Sequence, residues 1–511
     1  MIVIIIAILL AVFYFYTTRN HNYWAKRNIK CDPTLPIFGN HLKKAFAIKS
    51  ITTVASELYY KYPEEKVVGY FSGVTPELII RDPEIVRYIL NVNFADFHMR
   101  GLARDTKKEP MLKNIFNADG DTWKLIRQRL TPAFTTAKLK SMFPLIIKCA
   151  EKLYGLGEDI IAGGGECDVR ELMARFTTEF IGACGLGIEM NTINNENSIF
   201  REIGKGIFSR SNKEVLLRGL YEIFPELRSS LNLFDPNLEK IFVEMITKVF
   251  EQRNYKPTGR NDFVDLLLDL ASKGKIIGES IEERQPDGSP KMVEMDMDLM
   301  CMIAQVFVFF GAGFETSSSS TSYTLHELAF NPDIQERVQN EIDHVLAKYD
   351  NKLCYDAVSE MILLDMAFKE SLRIFPVAGT LHRVCARKYT IPQIGVTIDP
   401  GVKIIIPVEA IQNDPKYFKN PDKFLPERFN AEEELTRHKY VYLPFGEGPR
   451  GCIGARLGHM QSLAGLAALL HKFSVEPSSK TSRKLQVNPR LNITQGVIGG
   501  VPLKLKLRRN K

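Results

Sequence analysis

The stretch between residues 296 and 332 limits the possible fold more than any other feature of the chain. Helical signals resume at Asp296 or Asp298 and no proline follows before residue 332, which predicts one helix of roughly 34 residues and about 50 Å. Its centre, IAQVFVFFGAGF, is apolar nearly all round, so the helix must run through the core of a large domain. A second membrane span is disfavoured, because the apolar run is short and ends at Glu315.

Length and composition fit a globular protein with a sizeable core. The chain has 511 residues, of which 45% are hydrophobic and 25% are charged. Its formal net charge of +7 is spread without a run of five basic residues, so nothing indicates a nucleic-acid partner. The eight cysteines are irregularly spaced and include no C-x-x-C pair, which argues against a disulfide framework or a zinc site and indicates a reducing compartment.

The N-terminus reads MIVIIIAILLAVFYFYTTRN, and its first charged side chain is Arg19. About eighteen helical residues span roughly 27 Å, close to the ~30 Å hydrocarbon core of a bilayer. Residues 1–18 are therefore expected to form a transmembrane anchor, and the basic residues that follow place the rest of the chain in the cytoplasm. A cleaved signal peptide is disfavoured, because a basic start and an A-x-A-like site are both missing. Residues 19–40 read as a basic, proline-rich hinge.

The remaining chain is mostly helical in pattern. A helix is predicted at Ile51–Tyr62 and a hairpin at Lys66–Arg81 with its turn at Gly73–Pro76. From Pro83 to Leu346 most segments read as amphipathic helices. The polar interruption from Ser272 to Met292 is expected to be a surface loop.

After Pro376 the sequence pattern predicts short strands and turns in place of long helices. No linker is visible beyond residue 40. The sequence therefore predicts a single large domain at residues 41–511, mainly α with a minor β portion.

One cysteine lies in an unusually glycine-rich segment, PFGEGPRGCIGARLG, from Pro444 to Gly458. A helix is predicted just after Cys452, and the start of a helix favours negative charge. A thiolate is a strong nucleophile and metal ligand. A cysteine protease would need a base beside the sulfur, but His459, the nearest histidine in sequence, lies two helical turns on, roughly 10 Å along the axis. Because glycines let the backbone approach a flat or bulky group, a thiolate held close to a large cofactor is the better explanation.

The segment FGEGPRGCIG, Phe445 to Gly454, resembles the haem-binding loop of the cytochrome P450 family at every defined position. That pattern is Phe, two residues, Gly, one residue, Arg, one residue, Cys, one residue, Gly. The resemblance implies a haem-thiolate monooxygenase fold with haem b as cofactor and Cys452 as the axial ligand of iron, a ligand that favours O–O cleavage. It also implies that Phe445 packs near the sulfur and that Arg450 pairs with a haem propionate.

Two further segments match a structural triad of that family. In FKESLRIFP, Glu370 and Arg373 are three residues apart and can pair on one helix face. This spacing alone is weak evidence, since it recurs at Glu84 and Arg87, where we expect ordinary surface. The LPERF segment supplies Arg428. The resemblance implies that the triad holds the core on the haem side together and has no catalytic role.

The long helix contains GAGFETSSSS, with two glycines that each cost about 1 kcal/mol relative to alanine in a helix interior. Helix packing, close approach to a cofactor or a locally opened turn would each explain them. The family's pattern is matched from Ala312 to Ser317. The resemblance implies that Thr316 hydrogen-bonds dioxygen or its water and that Glu315 belongs to a proton relay, as acid delivery requires.

Arginines are expected around the cofactor carboxylates, because the planar guanidinium matches a carboxylate. In GDTWKLIRQRL, Trp123 and Arg127 lie four residues apart, and the family places this pair against a propionate. The resemblance implies that Arg383 and Arg100 contact a propionate as well.

The resemblance also implies a substrate pocket, to which the region Ile199–Phe234 contributes. Individual residues expected to line it come from the long helix and from two later segments. They are Phe310, Ala312, Val377, Ala378 and Val497.

As an activity, the resemblance implies hydroxylation or epoxidation of a small apolar substrate with dioxygen. The electrons would come from NADPH through a separate membrane-bound haemoprotein reductase, since the chain shows no dinucleotide fingerprint or flavin segment. Cytochrome b5 is a further candidate partner, and Lys124, Arg129, Lys138 and Lys140 are candidate docking residues. AGFETSS, LTPAFTT and FLPERF resemble the microsomal branch that includes vertebrate drug-metabolising and insect detoxifying members, which implies the endoplasmic reticulum membrane.

Two other functions remain open at this point. A haem-thiolate isomerase or dehydratase would rearrange a peroxide without dioxygen or reductase, but such enzymes often lack the acid–threonine pair that Glu315 and Thr316 supply. A non-enzymatic haem sensor or carrier is disfavoured by the same pair and by the long substrate regions.

Overall fold

The computed structural model describes residues 1–103, 105–188, 190, 203–204, 212–224, 236–260, 262–491 and 493–508. Much of the region Ile199–Phe234, expected to contact substrate, lies outside these described residues.

Most described residues are helical. The α-helices in chain order are α1 (Ile2–Thr18), α2 (Leu42–Ala45), α3 (Ile51–Lys61), α4 (Pro83–Arg87), α5 (Gly120–Leu130), α6 (Thr136–Ala162), α7 (Val169–Ile181), α8 (Asn212–Ile223), α9 (Pro236–Gln252), α10 (Phe263–Ser272), α11 (Leu299–Phe330), α12 (Pro332–Ala347), α13 (Tyr355–Ser359), α14 (Ile362–Ile374), α15 (Val408–Gln412), α16 (Ala431–Thr436) and α17 (Ala455–Lys472). The strands are β1 (Val67–Ser72), β2 (Thr75–Ile80), β3 (Glu166–Asp168), β4 (Ile276–Arg284), β5 (Pro290–Met295), β6 (Leu381–Val384), β7 (Tyr389–Ile391), β8 (Val396–Ile398), β9 (Lys403–Ile406), β10 (Phe473–Pro477) and β11 (Pro502–Leu507). The predicted class, mainly α with a minor β portion, is confirmed.

Helix α11 is the long core helix that the sequence predicts. Asp298 caps it by accepting a hydrogen bond from the Cys301 backbone N–H at 2.6 Å, and it ends at Phe330, ahead of Pro332. It is long and apolar enough to span a membrane, but most of it is buried inside the protein. Many of its side chains belong to the largest hydrophobic cluster among the described residues, so α11 is a core helix.

Neighbouring helices pack closely on α11. A Cβ on Gly313 would lie 2.2 Å from Ile181 Cδ1 of α7, so the absence of a side chain here lets Ile181 pack directly on α11. The helix is continuous through this point, which excludes the locally opened turn. On another side, the hydroxyls of Thr324 and Ser371 are 2.7 Å apart, which joins α11 to α14.

The strands form small sheets. The largest has the order β1-β2-β9-β6, with β2 and β9 parallel and the other pairs antiparallel. Its first hairpin confirms the prediction for Lys66–Arg81, and the turn contains Gly73 at φ +59°. A second, antiparallel sheet has the order β10-β11-β3.

The expectation of a loop from Ser272 to Met292 is wrong. Strands β4 and β5 pair there as an antiparallel hairpin, and its turn includes Gly288 at φ +85°. Ile276, Gly278 and Ser280 alternate inwards on β4, and β4 packs on α5. Charged residues on the outer face obscure this alternation in the sequence, because only one side of the hairpin is buried.

The N-terminal region has two parts. Helix α1 is apolar and exposed along nearly all of its length, which is compatible with the expected anchor. Part of the expected hinge is joined to the first sheet: Trp24 is fully buried, and its Nε1 donates to Tyr70 O at 3.1 Å. Gly69 makes room for this indole, since a Cβ there would lie 2.6 Å from Trp24 Cδ1.

Candidate active site

Backbone hydrogen bonds fold the loop that carries Cys452. The Cys452 N–H donates to Phe445 O at 2.9 Å, and helix α17 begins three residues after the cysteine, with Gly454 as its N-cap. Gly448 has φ +74°, and a Cβ there would lie 1.9 Å from Leu90 O, so only glycine fits. A Cβ at Gly454 would meet no atom beyond its own chain neighbours within 4 Å, so contact at the Cβ position does not explain that glycine.

Cys452 is the one exposed cysteine; the other seven are free, buried or half-buried thiols. Burial among protein atoms raises the pKa of the Cys452 thiol, although the Gly454 N–H and the charges of Arg100 and Arg127 act in the opposite direction. A thiol with a raised pKa is a poorer free nucleophile, and direct binding of a metal cation to the sulfur stabilises its thiolate. This suits a metal ligand better than a free nucleophile.

Four arginines predicted from the sequence converge beside this loop. Arg100 Nη2 donates to Arg450 O at 3.0 Å, and Arg127 Nη1 donates to Gly451 O at 3.0 Å. Arg383 Nε and Arg450 Nη1 are buried without a hydrogen-bond partner. Buried guanidinium N–H groups rarely lack an acceptor, so these atoms indicate a missing anionic partner.

The cluster carries more positive charge than the protein neutralises. Asp119 accepts from Arg450 Nη2 at 2.8 Å and from the Arg100 backbone N–H at 2.8 Å. Burial, reinforced by neighbouring cations, still lowers the pKa of Arg450 to about 8 and that of Arg383 to about 9. Burial also lowers the pKa of Arg100 to about 10 and lowers that of Arg127. The two propionate carboxylates of haem fit this donor set.

Helix α5 supports the cluster from one face. Trp123 is buried, and the guanidinium carbon of Arg450 lies 4.2 Å from the centre of its ring. Arg127 follows one helical turn later, so both predicted α5 residues face the cysteine loop. The cation–π contact of Trp123 with Arg450 was not predicted from the sequence, and the expected contact of Trp123 with a propionate stays a prediction.

His459 is already engaged. Its Nε2 lies 2.5 Å from Asp365 Oδ1, and its ring centre lies 6.4 Å from that of Phe445, which is half-buried. The imidazole therefore has a carboxylate partner, which removes the nearest base that a cysteine protease would need.

On α11, Ala312 and Thr316 are exposed, whereas Gly311, Phe314, Glu315 and Ser317 beside them are buried. They lie four residues apart on one helix face, and Thr316 Oγ1 donates to Ala312 O at 2.6 Å. Thr316 is the one hydroxyl-bearing residue of α11 whose side chain is exposed at this face.

Glu315 does not share that face. It is 3% exposed, and its Oε1 accepts from Arg170 Nη2 of α7 at 2.5 Å. Ser319 also donates to Glu315 at 3.4 Å. Successive helix residues point about 100° apart, so the expected carboxyl–hydroxyl pair with Thr316 is not in contact. Sequence reasoning missed Arg170, because it lies 145 positions away and no local pattern marks it.

Two of the expected pocket segments meet. The backbone N–H of Gln495 donates to Val377 O at 2.7 Å, which brings Ala378 and Val497 to one region. Val377 and Val497 are each 7% exposed.

Phe310 does not join the other expected pocket residues. It is fully buried, with its ring 6.1 Å from Phe242 and 6.3 Å from Phe314. Two residues along a helix turn by about 200°, so Phe310 lies opposite Ala312.

The structural triad comes together as expected. Arg373 Nε lies 2.8 Å from Glu370 Oε2, and Arg428 Nε lies 3.2 Å from Glu370 Oε1. Glu370 and Arg373 are fully buried, and Arg373 also donates to Pro421 O at 2.6 Å. The pair Glu84–Arg87 has the same spacing but lies at the surface.

Comparisons with known proteins agree with this site. Residues 30–499 match the family model Cytochrome P450. The chain is 38% identical to cytochrome P450 6B2 of Helicoverpa armigera over 507 residues, which cover 99% of this chain and 98% of that protein. It is 36% identical to cytochrome P450 6a2 of Drosophila melanogaster, with 99% of each chain covered. It is 35% identical to cytochrome P450 6B1 of Papilio polyxenes, with 95% of each chain covered.

The family match covers both the cysteine loop and the long core helix, and similarity to the insect relatives extends over nearly the whole chain. The chain therefore belongs to the cytochrome P450 family of haem-binding monooxygenases.

Proposed function

We propose that this chain inserts one oxygen atom from dioxygen into a small apolar substrate, by hydroxylation or epoxidation. The observation that carries the proposal is the accessible Cys452 thiol beside four arginines, of which only Arg450 forms an ion pair with Asp119 among the described residues. Haem b, when bound, supplies the activation of dioxygen.

The chain's own residues then have separable roles. Cys452 ligates the iron, and Arg100, Arg127, Arg383 and Arg450 hold the two propionates. Trp123 packs under the Arg450 guanidinium, Phe445 shields the thiolate and Gly454 leaves room at the start of α17. Glu370, Arg373 and Arg428 hold the surrounding core and take no part in the chemistry.

Proton delivery involves the open face of α11. The Thr316 hydroxyl holds a proton at this face, next to Ala312. Glu315 can supply the next proton only after its contact with Arg170 opens or through a bridging water, because the two side chains point to different sides. The apolar substrate is positioned by Ala312, Val377, Ala378 and Val497, and Phe310 acts behind them by packing.

The electron donor is a separate NADPH-dependent haemoprotein reductase, with cytochrome b5 as a further candidate. Of the four basic residues considered for docking, Arg129 donates to Gly274 O at 2.8 Å, in the segment just before β4. Lys140 lies 2.8 Å from Asp356. Lys124 and exposed Lys138 are therefore the better docking candidates.

Helix α1 anchors the chain in the endoplasmic reticulum membrane, with the catalytic domain facing the cytoplasm. The exposed apolar surface of residues 2–18 and the similarity to insect relatives support this placement. The same similarity supports a role in detoxifying foreign compounds; lipid or hormone metabolism is the other substrate class.

The test is turnover by the haem-loaded chain in lipid with NADPH and reductase, across a panel of apolar compounds. Oxygenated product that depends on both additions supports the proposal. The contact of Glu315 with Arg170 in place of Thr316 favours a second candidate, a peroxide isomerase or dehydratase. Rearrangement of an organic hydroperoxide without NADPH, together with no NADPH-dependent product, would select that second candidate.

A further inference from the structure

Gln495 lies where two expected pocket segments meet the core helix α11. Its backbone N–H donates to Val377 O at 2.7 Å, and its side-chain Nε2 donates to Pro376 O at 2.9 Å. Its carbonyl oxygen accepts from the Tyr323 hydroxyl of α11 at 2.5 Å. Gln495 is 2% exposed, so these bonds are made inside the protein and join the two segments to each other and to α11.

The Gln495 amide has an oxygen without a donor. Pro376 O can only accept, so Nε2 must face it, and this fixes the orientation of the amide. The amide oxygen, Oε1, is buried without a hydrogen-bond partner. Buried amide oxygens rarely lack a donor, so a donor is expected beside it.

The neighbouring acidic side chain is Glu409 of α15. Its backbone N–H donates to Gly379 O at 3.1 Å, and a Cβ on Gly379 would lie 2.6 Å from Gln495 Nε2, so Gly379 contacts both residues. The Glu409 carboxyl interacts with the Gln495 amide. Glu409 is half-buried as a residue, but its Oε2 atom is buried without a hydrogen-bond partner. Two neighbouring side chains therefore each hold a buried oxygen that has no donor.

No cation is paired with the Glu409 carboxyl among the described residues. Lys484 is exposed and acts on this carboxyl only from a distance beyond ion pairing. Tyr60 of α3 also acts on Glu409, and its hydroxyl donates to Ala410 O at 3.1 Å. Burial raises the pKa of Glu409, although the Gln495 amide and Lys484 act in the opposite direction. A buried carboxyl without a cation is more stable with a proton than without one.

The charged side chains of the elements packed against α15 have other partners. These elements are α3, α14 and the turn at residues 439–441. Each of their charged groups lies in an ion pair with a residue other than Glu409: Glu57, Lys61, Asp365, Lys369, the pair of Glu370 and Arg373, and Lys439.

We propose that Glu409 is a positioning residue that keeps a proton and donates it in a hydrogen bond to Gln495 Oε1. This one bond satisfies both unpartnered oxygens, whereas an ionised carboxylate could only accept. It holds the amide at both ends and so fixes the two segments that the amide joins. The effect on substrate follows from the proposed function, in which Val377, Ala378 and Val497 on these segments line the pocket.

The test is titration of the haem-loaded wild type, Glu409→Ala and Glu409→Gln with phenylimidazole, from pH 6 to pH 9. Phenylimidazole carries an apolar ring into the pocket, whereas imidazole, titrated in parallel, supplies the iron ligand alone. At pH 6 Glu409→Ala should bind phenylimidazole about fivefold more weakly than wild type, the effect of one hydrogen bond, and bind imidazole unchanged. Glu409→Gln keeps a donor and should match wild type at pH 6. The control Glu432→Ala removes an exposed carboxyl on α16 and should match wild type throughout.

The pH profile tests the proton. As the pH rises through the pKa of Glu409, wild type should lose phenylimidazole affinity relative to Glu409→Gln, because the amide cannot ionise. Ionisation of phenylimidazole affects all variants alike. Equal profiles up to pH 9 would mean that the proton stays in place over the whole range, which also supports the proposal.

Four results would overturn the proposal. Wild-type affinity in Glu409→Ala would reject the positioning role, and Glu409→Gln as weak as Glu409→Ala would reject the hydrogen bond. A wild type weaker than Glu409→Gln already at pH 6, or gaining on it as the pH rises, would reject the proton. An equal loss for imidazole would mean a general disturbance of the haem site. Failure of the proposed function would instead appear in wild type itself, as the absence of NADPH-dependent product.

Discussion

Arg170 Nη2 lies 2.5 Å from Glu315 Oε1, in a pair that ties the core helix α11 to α7 one residue before Thr316. The side chain of Glu315 is 4% exposed and that of Arg170 is 28% exposed. The buried carboxylate therefore depends on the guanidinium to balance its charge. The expected proton-relay acid is therefore held away from the hydroxyl it would serve.

We expect Arg170→Met to destabilise the protein by about 2 kcal/mol, measured by urea unfolding. This is less than the roughly 3–5 kcal/mol for breaking a fully buried pair, because water reaches part of Arg170. Adding Glu315→Gln to Arg170→Met should recover much of the loss, since no buried charge is then left unpaired. The control is Lys240→Met, which removes a cation from an exposed pair with Glu244 at 3.9 Å. Equal urea midpoints for Arg170→Met and the control would contradict a stabilising role of the Glu315–Arg170 pair.

Thr316→Ala should keep haem and fold but divert reducing equivalents to hydrogen peroxide. The hydroxyl is the one polar group exposed on the open face of α11, so its loss removes the proton carrier without disturbing packing. The measurement is product and peroxide formed per NADPH consumed. Thr321→Ala removes a buried hydroxyl that makes the same kind of bond, to Ser317 O at 2.7 Å, and should stay coupled. Wild-type coupling in Thr316→Ala would reject the role of Thr316.

Glu370→Gln should cost about 3–5 kcal/mol and cause haem loss at lower urea concentration, because two arginines lose their shared buried carboxylate. Glu84→Gln is a matched control, since Glu84 and Arg87 have the same spacing at the surface and little is expected to change. Haem retention is followed by absorption during unfolding. If both variants retain haem alike, the triad does not hold the core on the haem side.

Arg450→Met should weaken haem binding by about tenfold or more. The variant removes a buried guanidinium whose Nη1 has no hydrogen-bond partner within the protein and which the proposal assigns to a propionate. A charge-assisted hydrogen bond of this kind contributes roughly 1.5–3 kcal/mol.

Haem transfer to excess apomyoglobin at pH 7 measures the affinity of wild type and variant. Equal haem affinity in the two proteins would mean that Arg450 does not hold a propionate.

Features that depend on residues close together in the sequence could be predicted from it. The cysteine loop has five fixed positions within ten residues, and the backbone turns at Gly448 follow from those residues alone. The length of α11 followed from its flanking signals, Asp298 and Pro332. The four arginines were expected through the family resemblance, but the ion pair of Arg450 with Asp119 was not.

Features that depend on helix phase or distant contacts were not predictable. Phe310 was assigned to the pocket because the sequence does not say which face of an all-apolar helix is open. The contact of Glu315 with Arg170 joins two helices across 145 positions. The β4–β5 hairpin carried a readable turn, QPDGS, but the charges on its outer face dominated its pattern.

The most direct test of the central claim is the absorption spectrum of the reduced, carbon monoxide-bound protein. Thiolate ligation by Cys452 predicts a Soret band strongly red-shifted from that of a histidine-ligated haem, and this band should vanish in Cys452→Ala but persist in Cys167→Ala. A histidine-type band in wild type, or a red-shifted band that survives in Cys452→Ala, would contradict the account.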